Sequence, residues 1–333
     1  MSLKINAFGR SDVGLVRAGN EDCLHIDDAH HVYAVCDGMG GHQAGEVASM
    51  TASDIIRKSF GHLAQGLMND SGLSIGRTLP PAGELLLKSV RLANRAIFTR
   101  AAGEQSLSGM GTTIVAAALE ADIMSIAHVG DSRAYRLTER QLVPLTRDHS
   151  WVAEIQASHN LSEEEATSFV GRNVITRALG VREVVDVDCR IIKVRPGDQF
   201  ILCSDGLCGF ADDDEIFDVA RQYRGDLSKI VDALIQLAND RGGSDNVTVA
   251  AFEIISAPES PLPELDTFTL EQENPEVLAA EDRWLTRLAE PDPKETPGAP
   301  ATKKSTNKLI LSVIFALFLV VAVLILWFLP SGK

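Results

Sequence analysis

Four aspartates stand where an apolar run meets a turn. Asp37 follows Val32-Tyr33-Ala34-Val35-Cys36 and precedes Gly38-Met39-Gly40-Gly41. Asp205 follows Phe200-Ile201-Leu202-Cys203-Ser204 and precedes Gly206, and Asp245 precedes Asn246 and the apolar Val247-Thr248-Val249-Ala250. Asp131 follows His128-Val129-Gly130 and precedes Ser132-Arg133. A carboxylate at the end of a buried strand is unfavourable by several kcal/mol unless it is paired or ligates a metal. A single Asp-Gly at a strand end is ordinarily a turn residue whose side chain bonds its own backbone. Four in the same setting point instead to convergence on hard cations, since Mg²⁺ and Mn²⁺ take oxygen ligands in octahedral geometry. Glycines beside Asp37 and Asp205 allow close backbone approach, and a glycine carbonyl is itself a ligand.

The elements that must carry these residues are legible as alternating runs. Strands are expected over His31–Cys36, Thr112–Leu119, Ile123–Val129, Ala134–Leu137, Gln141–Leu145, Gln199–Cys203 and Asn246–Ile254. Helical periodicity is clearest over Gly45–Phe60, Glu84–Ala101 and Leu227–Arg241. Strands fall in adjacent pairs and helices in blocks, which predicts antiparallel sheets with segregated helices, an α+β arrangement, rather than regular β-α-β winding. Gln65–Gly83, rich in Gly, Ser and Pro, reads as an exposed loop.

Composition bounds the function. With 45 % hydrophobic and 23 % charged residues the chain is globular rather than disordered. A net charge of −15 excludes a phosphate-backbone binder, so no nucleic-acid partner is expected. Five scattered cysteines (Cys23, Cys36, Cys189, Cys203, Cys208) make neither a disulfide framework nor a C-x-x-C zinc site, and read as free thiols. Met1–Arg10 has no charged segment followed by an apolar run, so no cleaved leader is expected.

Three zones follow: a catalytic domain over residues 1–256, a Pro- and acid-rich linker over 257–308, and a transmembrane helix over 309–329. The linker contains an amphipathic stretch, Glu276–Glu290, with Val277, Trp284, Leu285 and Leu288 as its apolar contacts. Leu309–Leu329 has no charge and one polar residue, Ser312; at about 1.5 Å per residue it spans about 30 Å, the bilayer core. Trp327 falls at one end, in an aromatic belt, and Lys303, Lys304 and Lys308 flank the other. Positive charge stays inside, which places the catalytic domain in the cytoplasm on a single-pass anchor in the inner (cytoplasmic) membrane.

Eight stretches, in order, resemble the metal-dependent phosphatases of the protein phosphatase 2C family in its bacterial form. They are Ser11–Asp22, Val35–His42, Gly109–Thr113, His128–Tyr135, Leu145–Ser150, Ile175–Gly180, Ser204–Leu207 and Ser244–Thr248. The resemblance covers roughly residues 7 to 254. It implies a four-layer α-β-β-α sandwich and hydrolysis of protein phosphoserine and phosphothreonine by a water bridged between two divalent metals. Mn²⁺ or Mg²⁺ is implied, two ions tightly held and a third more weakly. By position, Asp37 bridges two metals, the Gly38 carbonyl binds one, Asp205 and Asp245 complete the set, and Asp131 with Asp205 holds the third. Glu21 and Asp22 orient waters, and Arg17, whose planar fork matches phosphate oxygens, receives the substrate. Asp148, beside an expected flap over Thr146–Arg177 with a polar helix at Ser162–Ser168, is a second candidate for the third metal or a turn cap. Where some relatives carry a histidine two residues after the bridging aspartate, this chain has Met39, which leaves a water as the general acid and His42 as a nearby alternative. The implied partners are phosphoproteins, an opposing Ser/Thr kinase among them.

Two other readings compete. Cys189 and Arg195 have the C-x5-R spacing of a cysteine phosphatase, but Arg190-Ile191-Ile192-Lys193-Val194 favours a strand over a phosphate cradle. A catalytically degenerate, membrane-tethered phosphoprotein-binding scaffold would also have this pattern, and the complete acidic set argues against it.

Overall fold

Val32–Cys36 is apolar at every position because both of its faces are covered. In the computed structural model, which describes residues 2–41, 43–73, 75, 78–159, 174–270 and 275–288, this run lies within β3 (Val32–Met39). Side chains alternate across a strand. Val32, Ala34 and Cys36 enter a core beneath helices α1 (Gln43–Phe60) and α3 (Pro81–Gly103), whereas Tyr33 and Val35 enter a core between two sheets.

β3 belongs to a sheet ordered β12 (Leu265–Leu270), β9 (Val187–Lys193), β6 (Ile123–Val129), β5 (Ile114–Glu120), β3 and β2 (Asp22–Asp27), with the short β4 (Gly111–Thr112) also on β3. The facing sheet runs β1 (Lys4–Asp12), β11 (Val247–Ser256), β10 (Gln199–Cys203), β7 (Arg133–Leu137) and β8 (Leu142–Pro144). The pairings are antiparallel throughout. Phe252 of β11 fills the space between the sheets, stacked on Tyr33 at 4.7 Å and on Phe200 at 5.3 Å between ring centroids. Beneath the second sheet, Ile201, Val247 and Val249 meet the apolar stripe Ile230, Leu234 and Ile235 of a helix over Leu227–Asp240. Helix, sheet, sheet and helix therefore stack as the α+β reading requires, and the expected strand pairs are present.

Two expectations need correction. Residues 65–83 are not a bare loop. Ala64–Asn69 forms helix α2, and Leu67, Leu73, Ile75 and Leu79 are buried in the core under α1 and α3. Nor is the segment after residue 256 composed only of linker. β12 adds a strand to β9, pairing Thr269 with Asp188 and Phe268 with Cys189. A helix over Pro275–Leu288 then buries Val277, Ala280, Trp284 and Leu288, residues spaced to share one helical face. A buried Arg91–Glu281 pair at 3.0 Å and a Trp284 Nε1–H bond to Asp70 at 2.8 Å fix that helix. The amphipathic stripe of Val277, Trp284 and Leu288 was legible in the sequence, but the surface it docks on was not, because its partners Asp70 and Arg91 lie far away along the chain. The helix over Pro275–Leu288 belongs to the same compact unit as the sandwich. Leu309–Leu329 and Ser162–Ser168 lie outside the described residues. Among the described residues no helix is long and apolar enough to cross a membrane.

Candidate metal centre

The antiparallel pairing of β2 with β3 sets Asp22 directly opposite Asp37. Asp205 follows β10 and opens the short helix Asp205–Cys208, Asp245 precedes β11, and Asp131 begins the turn between β6 and β7. Both sheets thus present their strand ends to one place, where the Asp37 and Asp205 carboxyls lie close enough to perturb each other. Asp22 feels the charge of Asp205 and Asp245, and Asp37 feels that of Asp22, Asp205 and Asp131.

Close packing brings these ends together. A Cβ on Gly38 would lie 2.2 Å from the Gly45 carbonyl oxygen, and one on Gly206 would lie 1.9 Å from that of Asn246. The backbone at Gly38 lies against the first turn of α1, and that at Gly206 against the segment entering β11, too closely for a side chain at either position.

The electrostatics are unbalanced. Burial, followed by the charge of neighbouring carboxylates, pushes the Asp22 and Asp131 carboxyls up to about 7. Burial likewise raises Asp37 far above the usual carboxylate range and raises Asp205. Asp22 Oδ1 is buried without a hydrogen-bond partner among the described residues, while Oδ2 accepts from Ser204 Oγ at 2.8 Å. Buried carboxylates that repel one another, with an orphaned oxygen among them, fit divalent cations as the missing partners.

Several residues that hold this arrangement were not singled out from the sequence. Asn246 accepts from the Glu21 amide at 2.8 Å and donates to the Val13 and Gly19 carbonyls, both at 2.9 Å, stapling the Val13–Glu21 segment to β11. Thr113 Oγ1 receives the Asp37 amide at 3.1 Å and bonds Ser132 Oγ at 2.7 Å, joining β3 to the Asp131 turn. Asn246 follows Asp245 and Ser132 follows Asp131, and that adjacency was the only available signal for them; Thr113 had none.

Arg17 is half-exposed and donates to Asp245 Oδ2 at 2.9 Å. Asp148 is engaged with Arg133, which donates to its two oxygens at 2.8 Å each, so the geometry favours an anchor for Arg133 over a free ligand. His42 is outside the described residues. Cys189 is a buried β9 residue packed in the core, and an extended strand makes no phosphate cradle, so the cysteine-phosphatase reading fails.

The protein phosphatase 2C family model matches residues 17–247, more than half of the chain. The chain belongs to the protein phosphatase 2C family. It is 36 % identical over 252 residues to a serine/threonine phosphatase, stp, of Listeria welshimeri, a match that spans 75 % of this chain and 96 % of that protein. The crystal structure of the Mycobacterium tuberculosis phosphatase PstP/Ppp superposes with a TM-score of 0.64 at 34 % identity, covering 75 % of this chain and 98 % of that one. A further structure, the PstP catalytic domain with two manganese ions, gives a TM-score of 0.63 at 32 % identity, over 77 % of this chain and all of that one. As a 2C-family sandwich, this chain has its acidic cluster at the meeting of the two sheets' strand ends.

Proposed function

We propose that this chain is a metal-dependent protein serine/threonine phosphatase, tethered to the inner (cytoplasmic) membrane, that acts from the cytoplasm on phosphoproteins. The observation that carries the reading is the set of buried, mutually repelling carboxylates Asp22, Asp37, Asp131 and Asp205. Asp37, Asp205, Asp245 and the Gly38 carbonyl would hold two Mn²⁺ or Mg²⁺ ions, with Asp131 and Asp205 holding a third more weakly. Bound there, divalent ions supply a water of lowered pKa and neutralise charge at the transferred phosphoryl group.

The chain's own residues do the rest. Arg17 swings from Asp245 to receive the phosphate, its exposure leaving it free to move. Asp22 has one carboxyl oxygen fixed by Ser204 and the other open, and so accepts a proton from a water in the cluster and orients it. Glu21, next to Asp22, has its backbone pinned by Asn246. With Met39 in place of a basic side chain, the leaving alkoxide takes its proton from water.

The anchor reading rests on Leu309–Leu329 and the lysines preceding it. A membrane position favours a membrane-bound Ser/Thr kinase, or its substrates, as the opposed partner. The decisive experiment is hydrolysis of a phosphothreonine peptide and of p-nitrophenyl phosphate by the detergent-solubilised full chain, with Mn²⁺ or with EDTA, beside Asp37→Asn. Mn²⁺-dependent turnover lost in the variant is expected; equal rates in EDTA would sink the proposal. Protease protection of spheroplasts and inverted vesicles tests the topology, with digestion of the domain only in inverted vesicles expected.

A further inference from the structure

Away from the acidic cluster, a second group of titratable residues gathers around Asp188 of β9. His128, His149 and Asp188 bring potential ligand atoms within 4.8 Å of one another. His128 Nε2 is buried without a hydrogen-bond partner among the described residues. The hydrogen bonding argues against a cation here. His149 Nδ1 accepts the Gly130 amide at 3.1 Å, so the neutral ring carries its proton on Nε2, 3.2 Å from Asp188 Oδ2. The Arg177 guanidinium stands 3.1 Å from Asp188 Oδ1, already supplying positive charge. The group is an array of donors around one carboxylate.

What that carboxylate joins is informative. His149 holds Gly130 twice, its backbone amide donating to the Gly130 carbonyl at 2.8 Å and its ring accepting the Gly130 amide. Gly130 immediately precedes Asp131. His149 and Arg177 stand at the two stems of the excursion between residues 150 and 175, which the Thr176 amide bond to the His149 carbonyl closes at 2.8 Å. On the opposite side, Thr269 Oγ1 of β12 donates to Asp188 Oδ1 at 2.8 Å. Thr269 lies beyond residue 247, where the family match ends.

We propose that Asp188 is a positioning residue through which the C-terminal strand β12 sets the turn carrying Asp131. The path is Thr269 to Asp188, Asp188 to the His149 ring, and His149 to Gly130, with Arg177 bringing the far stem of the excursion to the same carboxylate. Part of the site's geometry is thereby set by a segment outside the family span. Loosening β12 from β9 slackens the Asp131 turn. The proposal rests on reading Asp131 as a carboxylate of the catalytic cluster.

The test uses the full chain in detergent, with Asp188→Asn, Thr269→Val and Thr269→Ser. Valine keeps the shape and strand preference of threonine and removes only the donor; serine restores the donor. Amide hydrogen exchange is followed over residues 126–134 without metal, and kcat and the half-saturating Mn²⁺ concentration are measured on a phosphothreonine peptide. Asp188→Asn is expected to speed exchange and lower kcat by about 10-fold, the scale of one charge-assisted hydrogen bond. Thr269→Val is expected to shift both by about 2-fold, because its bond is solvent-exposed, and to raise the Mn²⁺ requirement, with Thr269→Ser restoring the wild-type values. Unchanged exchange in both Asp188→Asn and Thr269→Val overturns the proposal, as does faster exchange with unaltered kcat and Mn²⁺ requirement. Should Asp188→Asn not fold, Thr269→Val and its serine rescue decide alone. A wild type without Mn²⁺-dependent turnover refutes the phosphatase reading instead, and the exchange measurements still judge the tie.

Discussion

Two sets of aspartate in this molecule, the half-buried Asp188 and the carboxylate cluster, have opposite electrostatics. Burial alone would raise the Asp188 carboxyl, but hydrogen bonds from His149 and Thr269 and the charge of Arg177 bring it down to about 2. Asp22 and Asp131, buried among other carboxylates, rise to about 7. The residue type is the same and the outcome is set by the neighbours. Around Asp188 the protein completes the carboxylate's surroundings with its own donors; in the cluster it assembles acceptors and leaves the positive charge to come from solution. A buried carboxylate marks a ligand site only where the protein has left it unbalanced.

Breaking the unbalanced side should have the largest effect. Asp37→Asn is expected to lower turnover by about a thousandfold, equivalent to about 4 kcal/mol of lost transition-state stabilisation. Its melting temperature without metal should equal or exceed that of the wild type, because one repelling charge has gone. A large loss of stability would mean that Asp37 is structural.

Cation binding and pH sharpen the comparison next. The cluster carboxyls have folded pKa values above the unfolded 3.8, so between about pH 4 and 7 the native state holds more protons than the unfolded one. Metal-free stability from these groups therefore rises as pH falls from about 8 toward 5. Saturating Mn²⁺ at about 100 times its Kd adds about 2.7 kcal/mol, or about 5–10 °C, and should add more at about pH 8 than at about pH 5, where protons compete. Calorimetry at the two pH values checks this. An equal Mn²⁺ shift at both would contradict the carboxylate assignment.

Arg17→Lys keeps the charge and loses the planar fork, and is expected to raise KM for a phosphopeptide about 10-fold with a smaller change in kcat. The smallest effect belongs to the balanced side. Arg177→Met removes one of several partners of Asp188 at a partly exposed position, and urea unfolding should show a loss of about 1 kcal/mol. A loss several times larger would show that Asp188 depends on Arg177 as strongly as the cluster depends on cations.

Strand and helix positions were legible where both sides of an element are buried or where a helix has one clean stripe, as in Val32–Cys36 and Leu227–Asp240. Legibility failed where averaging over a window hid a few decisive residues. Leu67, Leu73 and Leu79 sit among glycines and serines, yet are buried; Val277 and Trp284 were legible as an amphipathic stripe, but not as part of the core. Of the site, the aspartates were identifiable from their place at the ends of apolar runs. Asn246, Ser204 and Thr113 were not, because a polar residue's task as a staple depends on what lies across from it.

The sequence alone determined which residues carry negative charge to strand ends and where glycine must stand beside them, because alternation and turn chemistry are local. Only the tertiary structure decided which of those charges are left unbalanced. That depends on residues brought across from other elements, as Thr269 and Arg177 are to Asp188 and as Asp205 is to Asp37. Electrostatic energy depends on distance in space and on exclusion of water, and separation along the chain reports neither.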